Sequence, residues 1–96
     1  MKAKFHEIES RILLAVCDKE HIGKTFTEGE IEFKASEKFY GGEDITPEEL
    51  EKAFFKVDTV NLFGNKCVDL AIKNGLVSEK GTIKVKGIKH AQIYRT

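Results

Sequence analysis

His90 is the side chain in this sequence best suited to chemistry. An imidazole titrates near neutral pH, so it can move a proton, accept a hydrogen bond or stack on a planar group. Gln92 follows two residues later, on the same face if the segment is extended. Cys17 ends the apolar run Ile12-Leu13-Leu14-Ala15-Val16-Cys17 and is placed to serve His90 as a nucleophile in a Cys–His pair. Glu43 and Asn61 complete the polar groups that a small enzyme built on His90 as acid–base would draw on.

Phe39-Tyr40-Gly41-Gly42-Glu43 is a second island of candidates. Its glycines suit an anion-binding nest, but Glu43 and Asp44 repel phosphate, and no Lys-Ser or Lys-Thr follows as in a phosphate-binding loop. Two arrangements remain. The glycines let Phe39 and Tyr40 fold under the following helix, or they present both rings on a recognition loop. Asn61 and Gly64 lie in a third island, Asn61-Leu62-Phe63-Gly64. Gly64 reads as a helical glycine tolerated for close packing, or as part of a small polar site with Asn61 and Asn65.

The remaining candidates are basic. Lys80, Lys84, Lys86, Lys89 and Arg95 fall in the last two extended segments and their connections, with His90 and Tyr94 available for stacking. The formal net charge is zero, yet residues 18–55 carry five bases and eleven acids, whereas residues 56–96 carry eight bases and three acids. Such polarity suits a basic face for RNA or an acidic middle for a basic partner. The three histidines and two cysteines have no metal-ligand spacing, so neither a metal nor a cofactor is expected.

Ninety-six residues, 41% hydrophobic and 33% charged, make one folded domain over residues 1–96. No apolar run approaches the roughly 20 residues that cross a bilayer. Glu7 and Glu9 interrupt the basic start as no secretory leader does. The expectation is a cytoplasmic protein without membrane contact, its thiols reduced.

Elements that position these residues can be read from periodicity. Lys4–Glu9 and Arg11–Asp18 predict two strands joined at Glu9-Ser10. Asp18 caps one helical turn over Lys19-Glu20-His21. Glu30–Ala35 alternates as a half-buried strand with Ile31, Phe33 and Ala35 inward. Ser36–Ile45 reads as a loop. Thr46-Pro47-Glu48-Glu49 is a capping box with proline at the first helical position. Asp58 caps a second helix whose apolar face runs Val60, Phe63, Gly64, Cys67, Val68 and Ala71, stopped by Gly75. Thr82–Lys86 and Ala91–Arg95 make the last strands, joined through Gly87. The expected class is α+β, a largely antiparallel sheet with two helices on one face, in the order β-β-β-α-α-β-β.

Taken together, Cys17-Asp18, Gly23-Lys24-Thr25-Phe26, Glu28-Gly29, Phe39–Glu43, Asn61–Gly64, Gly75-Leu76-Val77 and His90-Ala91-Gln92 resemble a small archaeal family described only as a domain of unknown function, number four-two-four. The resemblance covers nearly the whole chain and implies an archaeal, cytoplasmic protein. It carries no reaction and no catalytic residues. It also implies a glycine in the first turn, where this chain has Glu9-Ser10. The residues themselves favour a non-enzymatic binding module associated with RNA or the ribosome. The alternatives are the His90 enzyme and a protein–protein adaptor or homodimer built on the aromatic loop.

Overall fold

Lys2–Ile8 (β1) and Arg11–Cys17 (β2) form an antiparallel hairpin in the computed structural model, which describes residues 1–94. Glu9 and Ser10 both hold positive φ, 50° and 69°. That is the twist a two-residue hairpin needs, reached here without glycine or asparagine. β2 is buried from Leu14 to Cys17, as a continuous apolar run requires of a strand covered on both faces.

Thr25–Glu28 (β3) and Ile31–Lys34 (β4) pair with each other as a separate two-stranded sheet. A short helix, Glu37–Tyr40 (α1), and a two-residue strand, Glu43–Asp44 (β5), lead to Pro47–Ala53 (α2). Thr59–Phe63 (β6) precedes Asn65–Lys73 (α3), and Ile83–Val85 (β7) and Ile88–Tyr94 (β8) close the described chain. The main sheet has six strands in the order β5-β1-β2-β6-β8-β7, with β2 and β6 its parallel pair. The class is α+β, and the expected order is kept with β3, α1, β5 and β6 added to it.

α2 and α3 lie on one face. Leu50, Phe54, Cys67, Val68 and Ala71 pack there on Leu14, Val16, Val60, Leu62, Ala91 and Ile93. α2 begins in the expected capping box: the Glu49 amide donates to Thr46 Oγ1 at 3.1 Å, and the Thr46 amide donates to Glu49 Oε1 at 2.9 Å. The other face is covered by the β3–β4 hairpin and α1, with Tyr40, Phe63, Ala15, Cys17 and Ile88 buried and Phe26, Phe33 and Phe39 packed against them.

Four local expectations are corrected. Residues 59–63 are a strand, not the start of a helix. Val60 and Leu62 face the helices while Asn61 and Phe63 face the hairpin, a period of two that the apolar residues of α3 extended into an apparent helical stripe. Asp58 caps no helix; its Oδ2 accepts from the Ile12 amide at 2.7 Å and ties the start of β6 to β2. In β4, Ile31 shares the side of Phe33 but is exposed rather than inward, because it pairs with Glu28 at the turn end of the hairpin, outside the Phe26–Phe33 cluster packed on the sheet. Ser36–Ile45 is not a plain loop, since it carries α1 and β5, with Ser36 Oγ accepting from the Phe39 amide.

Asp18 is used differently again. The 3-10 turn Lys19–His21 forms after it, but the Asp18 side chain does not cap that turn. The carboxylate is 2% exposed and accepts from the Lys66 amide at 2.9 Å and the Cys67 amide at 3.1 Å. It therefore satisfies two amides in the first turn of α3, where the helix dipole also favours an anion. Gly64, with φ 132°, sits at the end of β6, and a Cβ there would fall on the Asp18 carboxylate. Gly64 is thus not a helical glycine: it lets the β6–α3 turn close onto Asp18.

Candidate functional site

Cross-strand register sorts the candidates into rows. Ile83, His90, Phe63 and Cys17 form one row across β7, β8, β6 and β2. Gln92, Asn61 and Ala15 form the next, and Tyr94, Thr59 and Leu13 the third. All three rows lie on the side of the sheet that carries the β3–β4 hairpin, because directly paired residues project from the same side and successive rows stand two residues apart.

Asn61 is the centre of a polar network on this face. Tyr40, reaching down from α1, donates its hydroxyl to Asn61 Oδ1 at 2.5 Å. His90 Nε2 lies 3.2 Å from the same oxygen. With that oxygen accepting from both, the imidazole carries its proton on Nε2 and keeps Nδ1 as an acceptor. Burial holds the His90 pKa below its ordinary 6.5, so the ring is neutral at pH 7. Burial also pushes the Tyr40 hydroxyl well above its usual range, which keeps it a donor.

Aromatic rings complete the setting. Phe33 of the hairpin stacks on Phe63 at 4.2 Å between centroids and lies 4.9 Å from the His90 ring. His21 and Phe26 pack edge-on beside them. On the far side, His6 stacks on Phe39 at 4.9 Å, and its Nε2 lies 2.8 Å from the Phe39 carbonyl. Among the described residues the cover ends beyond His90. β7 pairs with β8 only from Ile88 to His90. A cleft of about 350 Å³ opens there, lined by Gly81, Ile83, His90, Ala91 and Gln92. Ile83 is 59% and Tyr94 70% exposed. The Tyr94 hydroxyl donates to Gln92 Oε1.

The structure brings together Tyr40, Asn61, His90 and Gln92, and it separates the rest. Cys17 lies two strands from His90 in the same row, roughly 9–10 Å at ordinary strand spacing, with Phe63 between them. The thiol is fully buried and pushed up to about 12, so no nucleophilic Cys–His pair exists. Tyr40 is 2% exposed and Phe39 half-buried, so the aromatic island is not an exposed recognition loop. Gly42 instead lets the chain cross the edge of β1, where a Cβ would strike the Ala3 carbonyl. Gly41 follows α1 and donates its amide to Glu37, and Glu43 is exposed in β5. Gly64 is buried on Asp18. Asn65 pins α3 to the β7–β8 turn, accepting from the Lys89 amide at 2.9 Å. Neither joins Asn61 in a site.

The basic group also divides. Lys84 and Lys89 are directly paired and face α3, opposite His90. Lys89 Nζ is held by Asp69 at 2.7 Å and by Glu79 at 2.9 Å. Lys86 lies in the β7–β8 turn, with its amide on Glu28 Oε1 at 2.5 Å. Arg95 is outside the described residues.

Sequence reasoning missed Phe33, Ile83 and the carboxylate of Asp18. An acid closing a buried apolar run is a signal for the last, since such a charge must find donors. Asp18, Glu20 and His21 bring possible ligand atoms within 4.8 Å of one another, but the Asp18 oxygens already serve α3.

Among the described residues no helix is long and apolar enough to cross a membrane. Comparison with curated proteins finds none that matches. Among solved structures, the fold is similar to that of an uncharacterized conserved protein from Methanopyrus kandleri, with TM-score 0.80 and 22% identity, covering 97% of this chain and 89% of that one. The likeness at that identity concerns the fold. The chain belongs to the family described as protein of unknown function, DUF424, whose model matches residues 6–96.

Proposed function

We propose that this protein is a non-enzymatic binding module that holds single-stranded RNA against the open half of β8. One observation carries the reading. His90, Gln92 and Tyr94 project from the same side of β8, and past His90 neither β7 nor the hairpin covers them. An exposed ring beside an amide and a neutral imidazole offers a stacking surface with donors and acceptors at its edge, the means by which sheet surfaces take unpaired bases. Lys80 and Lys86 bracket β7 and supply phosphate contacts, whereas Lys89 is occupied. The network through Asn61 fixes the His90 ring rather than activating it. A cytoplasmic setting accords with two free, buried thiols.

Fluorescence anisotropy with a labelled single-stranded RNA tests this. Tyr94→Ala removes a stacking platform of about 1–3 kcal/mol, about five- to 150-fold in affinity. Two phosphate contacts give a shallow salt slope of about −1.4 in log K against log salt. Lys89→Ala leaves binding unchanged. Absence of binding, or binding lost in Lys84→Glu and Lys89→Glu but kept in Tyr94→Ala, would overturn the reading.

A further inference from the structure

The opposite edge of the sheet is built to take another strand. β5 covers β1 only at Lys2 and Ala3. The Ile45 amide donates to the Met1 carbonyl at 3.0 Å, which fixes the phase. Alternate residues of an antiparallel strand turn their main-chain groups to the same neighbour. Met1 and Ala3 turn theirs toward β5, so Phe5 and Glu7 turn theirs outward as well. No strand among the described residues lies beside them on that side.

Side chains at this edge define what it would accept. Phe5 is 59% exposed. Ala3, Phe5, Ile45 and Ala53 line a cleft of about 480 Å³, which Glu43, Asp44 and Glu49 also border. The nearby bases are engaged: Lys2 pairs with Asp44 at 3.0 Å, and Lys4 Nζ donates to the Lys38 carbonyl at 2.8 Å. Glu7 shares the face of Phe5. An open main chain beside an apolar floor and an acidic rim is the arrangement for strand addition, in which main-chain bonds give affinity and alternate side chains give selectivity.

We propose that the edge of β1 binds an extended segment of a partner protein in which an apolar residue and a Lys or Arg stand two positions apart, and so on one face. The apolar side chain fills the cleft beside Phe5, and bases two positions away on the same face meet Glu7 and Glu43. This surface is separate from the β8 face, so the two readings stand or fall independently. A second copy is the competing occupant, because the chain's own β7 is the strand at the opposite edge of the sheet. Its pairing with β1 of another copy would be head-to-tail and open-ended.

The test is a nuclear magnetic resonance titration of the whole chain with a capped basic peptide whose every second residue is valine or lysine in turn, with threonine between, and with glutamate in place of lysine as control. The Phe5 and Glu7 amides should shift and exchange more slowly with the basic peptide alone. Glu43→Lys should weaken binding about fivefold, on the scale of a rim charge pair. Glu7→Pro, which removes an outward N–H and is tolerated at an edge, should abolish it. Equal shifts with both peptides, shifts confined to other strands, or binding that survives Glu7→Pro overturn the proposal. So does concentration-dependent polymerisation without peptide, which would assign the edge to a second copy.

Discussion

On one face of the sheet, Leu14, Val16, Val60, Leu62, Ala91 and Ile93 meet α2 and α3 through apolar contact. On the other, Asn61 and His90 stand in the corresponding positions and are held by Tyr40 and Phe33. The same strands thus present two chemistries, because successive residues alternate in direction. The helix face gains stability from burial and excludes water. The hairpin face gives up some of that stability for a fixed pattern of polar groups, and it stops short of the end of β8. The proposed RNA-binding reading rests on that difference.

The joint between the faces should be the most sensitive point. Gly64→Ala places a side chain at positive φ on the Asp18 carboxylate, and should cost about 3 kcal/mol or more in chemical denaturation, as strain and a displaced buried charge combine. A cost below that of an ordinary surface substitution would remove the trans-cap account of α3. Next come the faces themselves. Leu62→Ala should cost about 2–5 kcal/mol, the usual range for a leucine cavity. Asn61→Ala should cost about 1–3 kcal/mol by orphaning Tyr40 and His90. Equal losses, or a larger one at Asn61, would reverse the comparison.

Between about pH 8 and about pH 5 a pH effect should come from the hairpin face. Burial lowers the His90 pKa in the folded state below its ordinary 6.5, so the unfolded chain binds that proton more readily. Stability is then unaffected by this group well above 6.5 and falls as the pH drops through it. Denaturation midpoints of the wild type and His90→Gln, compared from about pH 8 to about pH 5, should converge at the acid end. The smallest effect belongs to the first turn. Ser10→Gly relieves a positive φ and should raise stability by about 0.5–1 kcal/mol.

Much of this architecture was legible in the chain. The Thr46–Glu49 box, the apolar run of β2 and the closing hairpin follow local rules that the fold obeys. β6 was not legible, because Val60 and Phe63 fit a helical stripe as well as an alternating strand, and a five-residue segment cannot separate the two periods. β3 was missed because Thr25–Glu28 buries little more than Phe26, so its pairing with β4 is set by tertiary contact rather than pattern. His90, Asn61 and Gln92 were legible as candidates; that Tyr40 joins them depends on α1 crossing the sheet. Lys89 was misread as part of a free basic patch, since its partners Asp69 and Glu79 lie 20 and 10 residues away.

The most direct measurement is a nuclear magnetic resonance titration of the whole protein with a short single-stranded RNA. Shifts concentrated at Ile83, His90, Gln92 and Tyr94, with Lys84 and Lys89 unmoved, are what the open β8 face predicts. Shifts confined to the helix face, or none at millimolar RNA, would contradict it.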